Sequence, residues 1–278
     1  MAWTDLTRAR YERASARYAS DLTDGEWALV RDLLPRRAAT GRPRTTPMRT
    51  LIDAIFYVAW TGCQWRALPP DFPPRSTVQR YFYAWRNSGL WKKIGRTLGR
   101  RARVRAGRKA RPTACVIDSQ SVKTTESGGP RGFDAGKRVK GRKRHIVVDT
   151  QGHLVEAHVL PANVQDNHAA APLLNAVGAD FPRLRHVFAD RVYRGPKLLS
   201  QTADNGPWTI EIVTRSQSVG TFRAEPKRWI VERSFAWLNR NRRLAKDFEK
   251  SPQSEEAWIW IANAKLLTRK LARQPHEM

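Results

Sequence analysis

The spacing of apolar residues changes near residue 112 and divides the chain into two parts. Before this point apolar residues recur every three or four positions, as in Leu51, Ile52, Ile55 and Phe56, which is the period of an amphipathic helix. After it, short apolar runs such as residues 114–118 alternate with helical patterns. Strands that alternate with helices favour an α/β layer fold for the second part.

The N-terminal part is predicted to be helical over residues 21–91. Thr23 and Glu26 have the spacing of a capping box and predict a helix that ends at Pro35; a second helix is expected over residues 46–61. Ser76 and Gln79 repeat the capping pattern before a third helix. The connection between the second and third helices is long, so we expect a small extra helix around residues 65–68. This order is helix-turn-helix-like.

The third helix of this region has a polar face opposite its apolar stripe of Val78, Phe82 and Trp85. Hydroxyl, amide and guanidinium groups near a helix N-terminus can contact bases and phosphates in a major groove. A solvated helix face has the same composition, so the residue types leave both interpretations open. The face carries Thr77, Gln79, Arg80, Tyr83 and Arg86.

The chain is strongly basic, with 51 Lys and Arg against 25 Asp and Glu and a formal net charge of +26. Such a field attracts polyanions, and nucleic acid is the first candidate. The best apolar run, residues 51–60, is too short to span a membrane. We see no signal peptide and expect a cytoplasmic, nucleoid-associated protein.

Cys63 and Cys115 lack metal-site or redox spacing and are expected to be thiols, with Cys115 in the core.

Two segments are basic without an obvious apolar pattern. Residues 1–20 form a polar, Arg-rich arm to which we assign no function. Residues 92–111 are rich in Lys and Arg and contain no acid, so we interpret them as a linker between domains that grips DNA or is simply solvated.

The second part, residues 112–278, is expected to form one domain. Its predicted hairpin has a turn containing Gly152. The predicted strands cover residues 113–118, 144–149, 153–159, 186–190 and 208–214, and the predicted helices cover 166–177, 196–204, 226–245 and 253–272.

Three acids are placed to meet at one site. Asp118 and Asp190 each close a predicted strand, and the ends of neighbouring strands open into the crevice where α/β sheets bind ligands. Glu232 lies in the helix predicted over residues 226–245. Carboxylates that hold two Mg²⁺ ions can promote phosphodiester chemistry without a Ser, Cys or His nucleophile.

Glu232 shares its predicted helix face with Arg228, Asn239 and Arg243, so arginines there could hold flanking phosphates. An ordinary surface pair between Arg228 and Glu232 is the alternative. Three other acids have simpler structural explanations. Asp134 lies in a Gly-rich loop, Asp149 starts a predicted turn, and Asp166 looks like a helix cap.

Several motifs in one order make the chain resemble the bacterial insertion-sequence DDE transposases of the insertion-sequence five group, over about residues 21–272. The N-terminal part is similar in residues 22–27, 61–69 and 76–82. The second part is similar in the motifs Ile117-Asp-Ser-Gln-Ser-Val-Lys123, Lys140-Gly-Arg-Lys-Arg-His145, Pro161-Ala-Asn-Val-Gln-Asp166, Ala189-Asp190 with Tyr193-Arg-Gly195, and Arg228-Trp-Ile-Val-Glu-Arg-Ser-Phe-Ala-Trp-Leu238.

The resemblance implies an RNase H-like mixed sheet flanked by helices, with Asp118, Asp190 and Glu232 as catalytic and metal-binding residues. It implies Mg²⁺, with Mn²⁺ as a substitute, and cleavage at terminal inverted repeats followed by joining to target DNA. By analogy we expect a homodimer on paired ends. The residues that we expect to contact double-stranded DNA are Arg75, Thr77, Gln79, Arg80, Arg100, Arg101, Lys140, Lys143, Arg144, Arg228, Arg240 and Arg243.

The chain departs from the family pattern at three places. Glu225 replaces the tyrosine and Asn239 the lysine of the glutamate signature, and Arg240, Arg242 or Arg243 could supply the missing charge. Val192 stands where a small residue is usual, and a β-branched side chain resists a left-handed turn. The alternative function is therefore a catalytically impaired transposase that acts as a sequence-specific DNA-binding regulator.

Overall fold

The N-terminal part is helical, as its apolar spacing predicts. The computed structural model describes residues 17–36, 41, 43–193, 198, 200, 202, 208–213 and 227–273. The expected arm at residues 1–20 lies mostly outside them. Short 3-10 helices follow the first helix and connect the second to the third, at Arg31–Leu33 and Trp65–Ala67. The N-terminal α-helices are α1 (Asp24–Val30), α2 (Met48–Thr61), α3 (Arg75–Asn87) and α4 (Leu90–Arg105).

One of the two predicted capping boxes is present. The Thr23 hydroxyl accepts the Glu26 N–H at 3.3 Å, and the Glu26 carboxylate accepts the Thr23 N–H at 3.1 Å. The second was wrong: Pro74 occupies the N-cap position of α3, and no side chain caps that helix. Ser76 therefore falls inside the first turn, where its hydroxyl is not at the capping position.

Residues 92–105 form most of α4, so the prediction of a linker was wrong there. The high charge hid a stripe of apolar residues, Trp91, Ile94, Leu98 and Ala102, which are buried in a face that packs on the C-terminal helix α7 (Pro252–Ala272). Arginines on the other faces have partners in the fold. Arg96 pairs with Glu156 at 2.8 Å, for example.

The second part forms a mixed sheet. In the described residues its order is β2-β3-β1-β5-β6, and β4 also pairs with β3. β3 runs antiparallel to β1, β2 and β4, whereas β1, β5 and β6 are mutually parallel. The strands are β1 (Ala114–Lys123), β2 (Gly132–Asp134), β3 (Val139–Asp149), β4 (Leu154–Pro161), β5 (His186–Ala189) and β6 (Thr209–Ile212).

The predicted hairpin is confirmed as β3 and β4. Asp149 accepts the N–H groups of Gln151 and His153, which is the turn role expected for it. Gly152 has a φ of 85°, a conformation that glycine adopts without strain.

Helices cover both faces of the sheet and complete the RNase H-like fold. On one face α5 (Asp166–Asp180) packs on Cys115, Ile117 and Val187. The opposite face, with Val116 and Phe188, shares one continuous core with the N-terminal helices, α7 and a helix α6 (Arg228–Leu238). The expectation that Cys115 is a core thiol is confirmed.

Of the helix predicted near residues 196–204, only Leu198, Ser200 and Thr202 are described, and all three are helical.

Across the described ranges, no helix combines the length and apolar character that a bilayer-spanning segment needs.

Candidate active site

Asp118 and Asp190 occupy corresponding positions on neighbouring strands. β1 and β5 run parallel with Val116 opposite Phe188. Asp118 lies two residues after Val116 on β1, and Asp190 lies two residues after Phe188, directly after the end of β5. Because side chains alternate between the faces of a sheet, each aspartate has the same orientation as the apolar residue two positions before it. Val116 and Phe188 face α6, so we infer that both carboxylates lie at that face.

A small cleft joins the two aspartates. Its described lining includes Asp118, Asp190 and Val231, and the remaining wall is apolar. β1 continues beyond Asp118 to Lys123, so the expectation that Asp118 ends its strand was wrong. Asp190 does follow directly after β5, as predicted. The site thus lies where β5 ends and β1 extends further.

The backbone next to each aspartate holds its carboxylate. The Ser119 N–H donates to Asp118 Oδ1 at 2.7 Å, and the Val192 N–H donates to Asp190 Oδ1 at 2.7 Å. Val192 lies in a right-handed 3-10 helix, Arg191–Tyr193, and its side chain is exposed. The left-handed turn that would make a β-branched residue unfavourable does not occur at Val192.

Glu232 lies on α6, the helix that borders the cleft. Its neighbour Val231 lines the cleft beside Asp118, and Glu232 itself is exposed. α6 is fixed to the turn between β3 and β4, since the Ser234 hydroxyl donates to the Gly152 carbonyl at 3.0 Å. In the described part of the chain no three carboxylate, His or Cys side chains are close enough together to form a metal site. The structure therefore brings two of the three predicted acids into one cleft and places the third on the helix next to it.

Comparison with known proteins identifies the family. Residues 109–267, more than half of the chain, match the transposase DDE domain family. The chain belongs to this family. Residues 22–95 match a second family model, described as putative transposases of the IS4/5 family. The expected membership of an insertion-sequence transposase group is confirmed.

Two curated relatives are similar over parts of the transposase. A putative transposase for insertion sequence element IS402 from Burkholderia cepacia is 30% identical over 154 residues, covering 52% of this chain and 69% of the relative. The uncharacterized protein y4sN from Sinorhizobium fredii is 30% identical over 81 residues, covering 29% of this chain and 65% of the relative.

A buried polar cluster lies behind the carboxylates of this transposase, and sequence reasoning missed it. Asp166 accepts from the Ser119 hydroxyl at 3.0 Å and pairs with the Lys143 ammonium at 3.1 Å. Gln165, not Asp166, is the N-cap of α5, so the interpretation of Asp166 as a cap was wrong. His145 is fully buried 3.9 Å from Asp166, and burial lowers its pKa to about 4, which keeps the imidazole neutral.

Tyr193 lies near this cluster and near both aspartates. It is buried at the end of the turn after Asp190. Burial, and then the nearby charges of Asp118 and Asp166, raise the pKa of Tyr193 well above its usual range. Tyr193 therefore remains a neutral phenol packed beside the site.

Three of the residues expected to contact DNA are instead buried. Lys143 pairs with Asp166, Arg144 with Glu255 and Arg243 with Glu249, so the prediction for these side chains was wrong. The predicted helix over 226–245 ends at Leu238, so Arg243 does not share a helix face with Glu232. It lies in a 3-10 helix, Arg242–Leu244, and donates to Glu249 Oε1 at 2.9 Å.

The other predicted DNA contacts occupy different environments. Arg75, Arg80, Lys140 and Arg240 are exposed, while Thr77 and Gln79 are half-buried. Arg101 is exposed but donates to the Leu29 carbonyl at 2.9 Å. The guanidinium carbon of Arg100 lies 6.0 Å from the centre of the Phe181 ring. The side chain of Arg228 is outside the described set.

Asn239 has contacts inside the fold. Its amide nitrogen donates to Gln120 Oε1 at 3.4 Å, and its amide oxygen accepts from Arg144 at 3.4 Å. Arg243 is buried, so it is not positioned to supply the missing charge, whereas Arg240 and Arg242 are exposed. Asn239 also lines a groove that leads along β1 from the site, with Lys123 and Lys246 in its walls.

Lys227 is a further cation at the cleft that sequence reasoning did not select. It precedes α6 with a φ of 81°, which is unfavourable for a residue with a side chain. Its ammonium lies 3.6 Å from the centre of the Phe188 ring, and Phe188 lines the cleft with Asp118 and Asp190. The positive φ was the signal, and it becomes visible only in the structure.

Proposed function

We propose that this transposase cleaves the DNA ends of an insertion sequence and joins them to target DNA with Mg²⁺ as cofactor. One observation carries the proposal: Asp118 and Asp190 stand in matching positions on parallel neighbouring strands and share one cleft beneath α6. Glu232 follows Val231 on α6 and completes the proposed triad.

The donor atoms suit a hard divalent cation. Asp118, Asp190 and Glu232 would supply carboxylate oxygens, the ligands that Mg²⁺ prefers, and Mn²⁺ would substitute. A movement of Glu232 toward the cleft would have to complete the ligand set, because the described residues do not form one. When bound, the metal would neutralise charge on the phosphate and activate the attacking oxygen.

The protein's own residues would orient the DNA strand for two successive reactions. In the first, a water oxygen attacks the phosphorus and the bond to the 3′-oxygen breaks, leaving a 3′-hydroxyl. In the second, the oxygen of this 3′-hydroxyl attacks a phosphorus of the target strand, and the bond from that phosphorus to its own 3′-oxygen breaks, which releases a new 3′-hydroxyl on the target. The Ser119 and Val192 N–H groups hold the two aspartates, and Lys227 adds positive charge against Phe188, which lines the same cleft.

The partner that we propose is double-stranded DNA, as terminal inverted repeats and as target. The excess of 26 positive charges supports a polyanion, and exposed Arg75, Arg80, Lys140 and Arg240 are available to contact it. Joining both ends of one element requires that they be held together. We therefore propose a homodimer with one protomer on each end.

The decisive experiment compares cleavage of a duplex that carries the inverted repeats flanking this reading frame. The wild-type protein is expected to nick it with Mg²⁺ or Mn²⁺ and then join the freed 3′-end to a target duplex. Asp118→Asn should abolish both steps, whereas Asp32→Asn, an exposed acid on the 3-10 helix after α1, should not. Full cleavage by Asp118→Asn would overturn the proposal. Specific binding without metal-dependent nicking would instead indicate the DNA-binding regulator.

A further inference from the structure

A second cleft, separate from the proposed active site, lies at the C-terminal end of α6. It has a volume of about 350 Å³ and is enclosed by α2, α6 and α7 together with His153. It contains none of the three predicted catalytic acids. Its lining is Trp60, His153, Trp237, Arg240, Asn241, Ala262, Lys265, Leu266, Leu267, Arg269, Lys270 and Arg273.

The cleft is strongly cationic. Among these lining residues there is no Asp or Glu, and five are Lys or Arg: Arg240, Lys265, Arg269, Lys270 and Arg273. A cleft lined by charges of one sign raises the local concentration of ions of the opposite sign. The ligand that matches this wall is therefore an anion.

The tryptophans hold the cations in place. The Lys265 ammonium lies 3.9 Å from the centre of the Trp60 ring, and the Arg269 guanidinium carbon lies 5.4 Å from it. Trp237 is covered in the same way by Arg233, at 4.4 Å. Cation–π contacts of this kind stabilise charge in places that water reaches poorly. Since cations already lie against these rings, the cleft suits a phosphate better than a stacked base.

A series of contacts with buried groups fixes the position of the Lys270 side chain. Its ammonium lies 3.0 Å from His153 Nε2. His153 Nδ1 in turn lies 3.1 Å from Asp149 Oδ2, and Arg103 donates to the same oxygen at 2.8 Å. The lysine is thus fixed at the rim before any ligand arrives.

We propose that this cleft binds a single backbone phosphate of the substrate DNA, away from the phosphate that reacts. The inference rests on the proposed function. Arg240 lies just beyond the C-terminal end of α6, the helix that carries Glu232, so a phosphate bound in the cleft belongs to a nucleotide other than the one that is cut.

The test uses full-length protein and a duplex that carries the inverted repeat, with binding measured over a range of salt concentrations. The double variant Arg240→Gln/Lys270→Gln should bind at least tenfold more weakly than the wild type. The slope of its plot of log affinity against log salt should be smaller by about 0.9, which corresponds to the loss of one phosphate contact. Lys250→Gln removes an exposed lysine outside the cleft and should behave like wild type. Thermal melting of each variant checks that the fold is retained.

Single neutral methylphosphonates placed along the strand then locate the contact. One position away from the cut should weaken wild-type binding but have no further effect on the double variant, while an abasic site at that position should be harmless. Equal binding by wild type and the double variant would overturn the cleft assignment alone, and sensitivity to the abasic site would show a base pocket instead. A wild-type protein that does not bind the duplex at all would overturn the proposed function and this inference with it.

Discussion

Arg144 of β3 and Glu255 of α7 form an ion pair in the interior of the protein. The Arg144 Nε donates to Glu255 Oε1 at 2.6 Å, and the two side chains are 2% and 0% exposed. The same guanidinium donates to the Leu244 carbonyl at 2.8 Å. The pair therefore connects the mixed sheet to the C-terminal helix and to the segment after α6.

Replacing Arg144 with Ala should lower the free energy of unfolding by about 3–5 kcal/mol, because Glu255 would remain buried without its partner. The double variant Arg144→Met/Glu255→Leu should recover much of this loss, since no charge remains to be buried. Urea unfolding measures both. Lys140→Ala is the matched control: this exposed residue of the same strand should change stability by less than about 0.5 kcal/mol. A fully stable Arg144→Ala with weakened DNA binding would show that Arg144 is a DNA contact after all.

Gly95 and Gly99 lie one turn apart on α4 and should respond in opposite ways to a methyl group. A Cβ at Gly95 would lie 2.6 Å from Trp260 Cε3 on α7, whereas at Gly99 the nearest atom is 3.9 Å away. Gly95→Ala should therefore destabilise the protein by about 1–3 kcal/mol through overpacking. Gly99→Ala should be neutral or stabilise by up to about 1 kcal/mol, because alanine favours a helix. Equal unfolding midpoints for the two variants would contradict the close packing of α4 on α7.

Glu256 should make stability depend on pH near neutrality. Its carboxylate accepts the Val159 N–H at 2.8 Å, and burial, with Glu156 nearby, raises its pKa from 4.5 to about 7. The native state binds the Glu256 proton more tightly than the unfolded chain does. The resulting stabilisation is full below about pH 4.5 and is lost as the pH rises through about 7. Between pH 5 and 8 the free energy of unfolding of the wild type should fall by on the order of 2 kcal/mol more than that of Glu256→Gln. The glutamine keeps a hydrogen-bond acceptor but does not titrate. Parallel pH profiles for the two proteins would contradict the raised pKa.

The elements and the two strand aspartates could be predicted because their signals are local. The runs at residues 114–117 and 187–189 are apolar, and Asp118 and Asp190 follow directly after them. The parallel pairing of β1 and β5 then places the aspartates side by side. The position of Glu232 relative to them depends on how α6 packs, which the helix pattern alone does not contain.

The burial of Arg144 and Arg243 could not be predicted in the same way. β3 contains the highly basic sequence Lys140-Gly-Arg-Lys-Arg-His145, which resembles an exposed strand. Glu255, which neutralises Arg144, comes 111 residues later in the chain, and only the packing of α7 on the sheet brings the two together. Glu249 is only six residues from Arg243, but they pair because the chain turns after α6, where the helix was predicted to continue. A charge run by itself therefore does not distinguish an ion-paired interior from a DNA-binding surface.

Arg80 and Arg86 lie on the same polar side of α3 but should have different roles. Arg80 is exposed, whereas Arg86 donates to the Ser254 hydroxyl at 2.8 Å and its guanidinium carbon lies 4.8 Å from the centre of the Tyr83 ring. Arg80→Ala should therefore reduce the preference for the inverted repeat over a scrambled duplex by about 1–3 kcal/mol and leave the melting temperature unchanged. Arg86→Ala should lower the free energy of unfolding by about 1 kcal/mol through the lost hydrogen bond. Competition binding and urea unfolding of both variants separate the two effects. Loss of stability in Arg80→Ala without loss of sequence preference would show that α3 does not read DNA through this face.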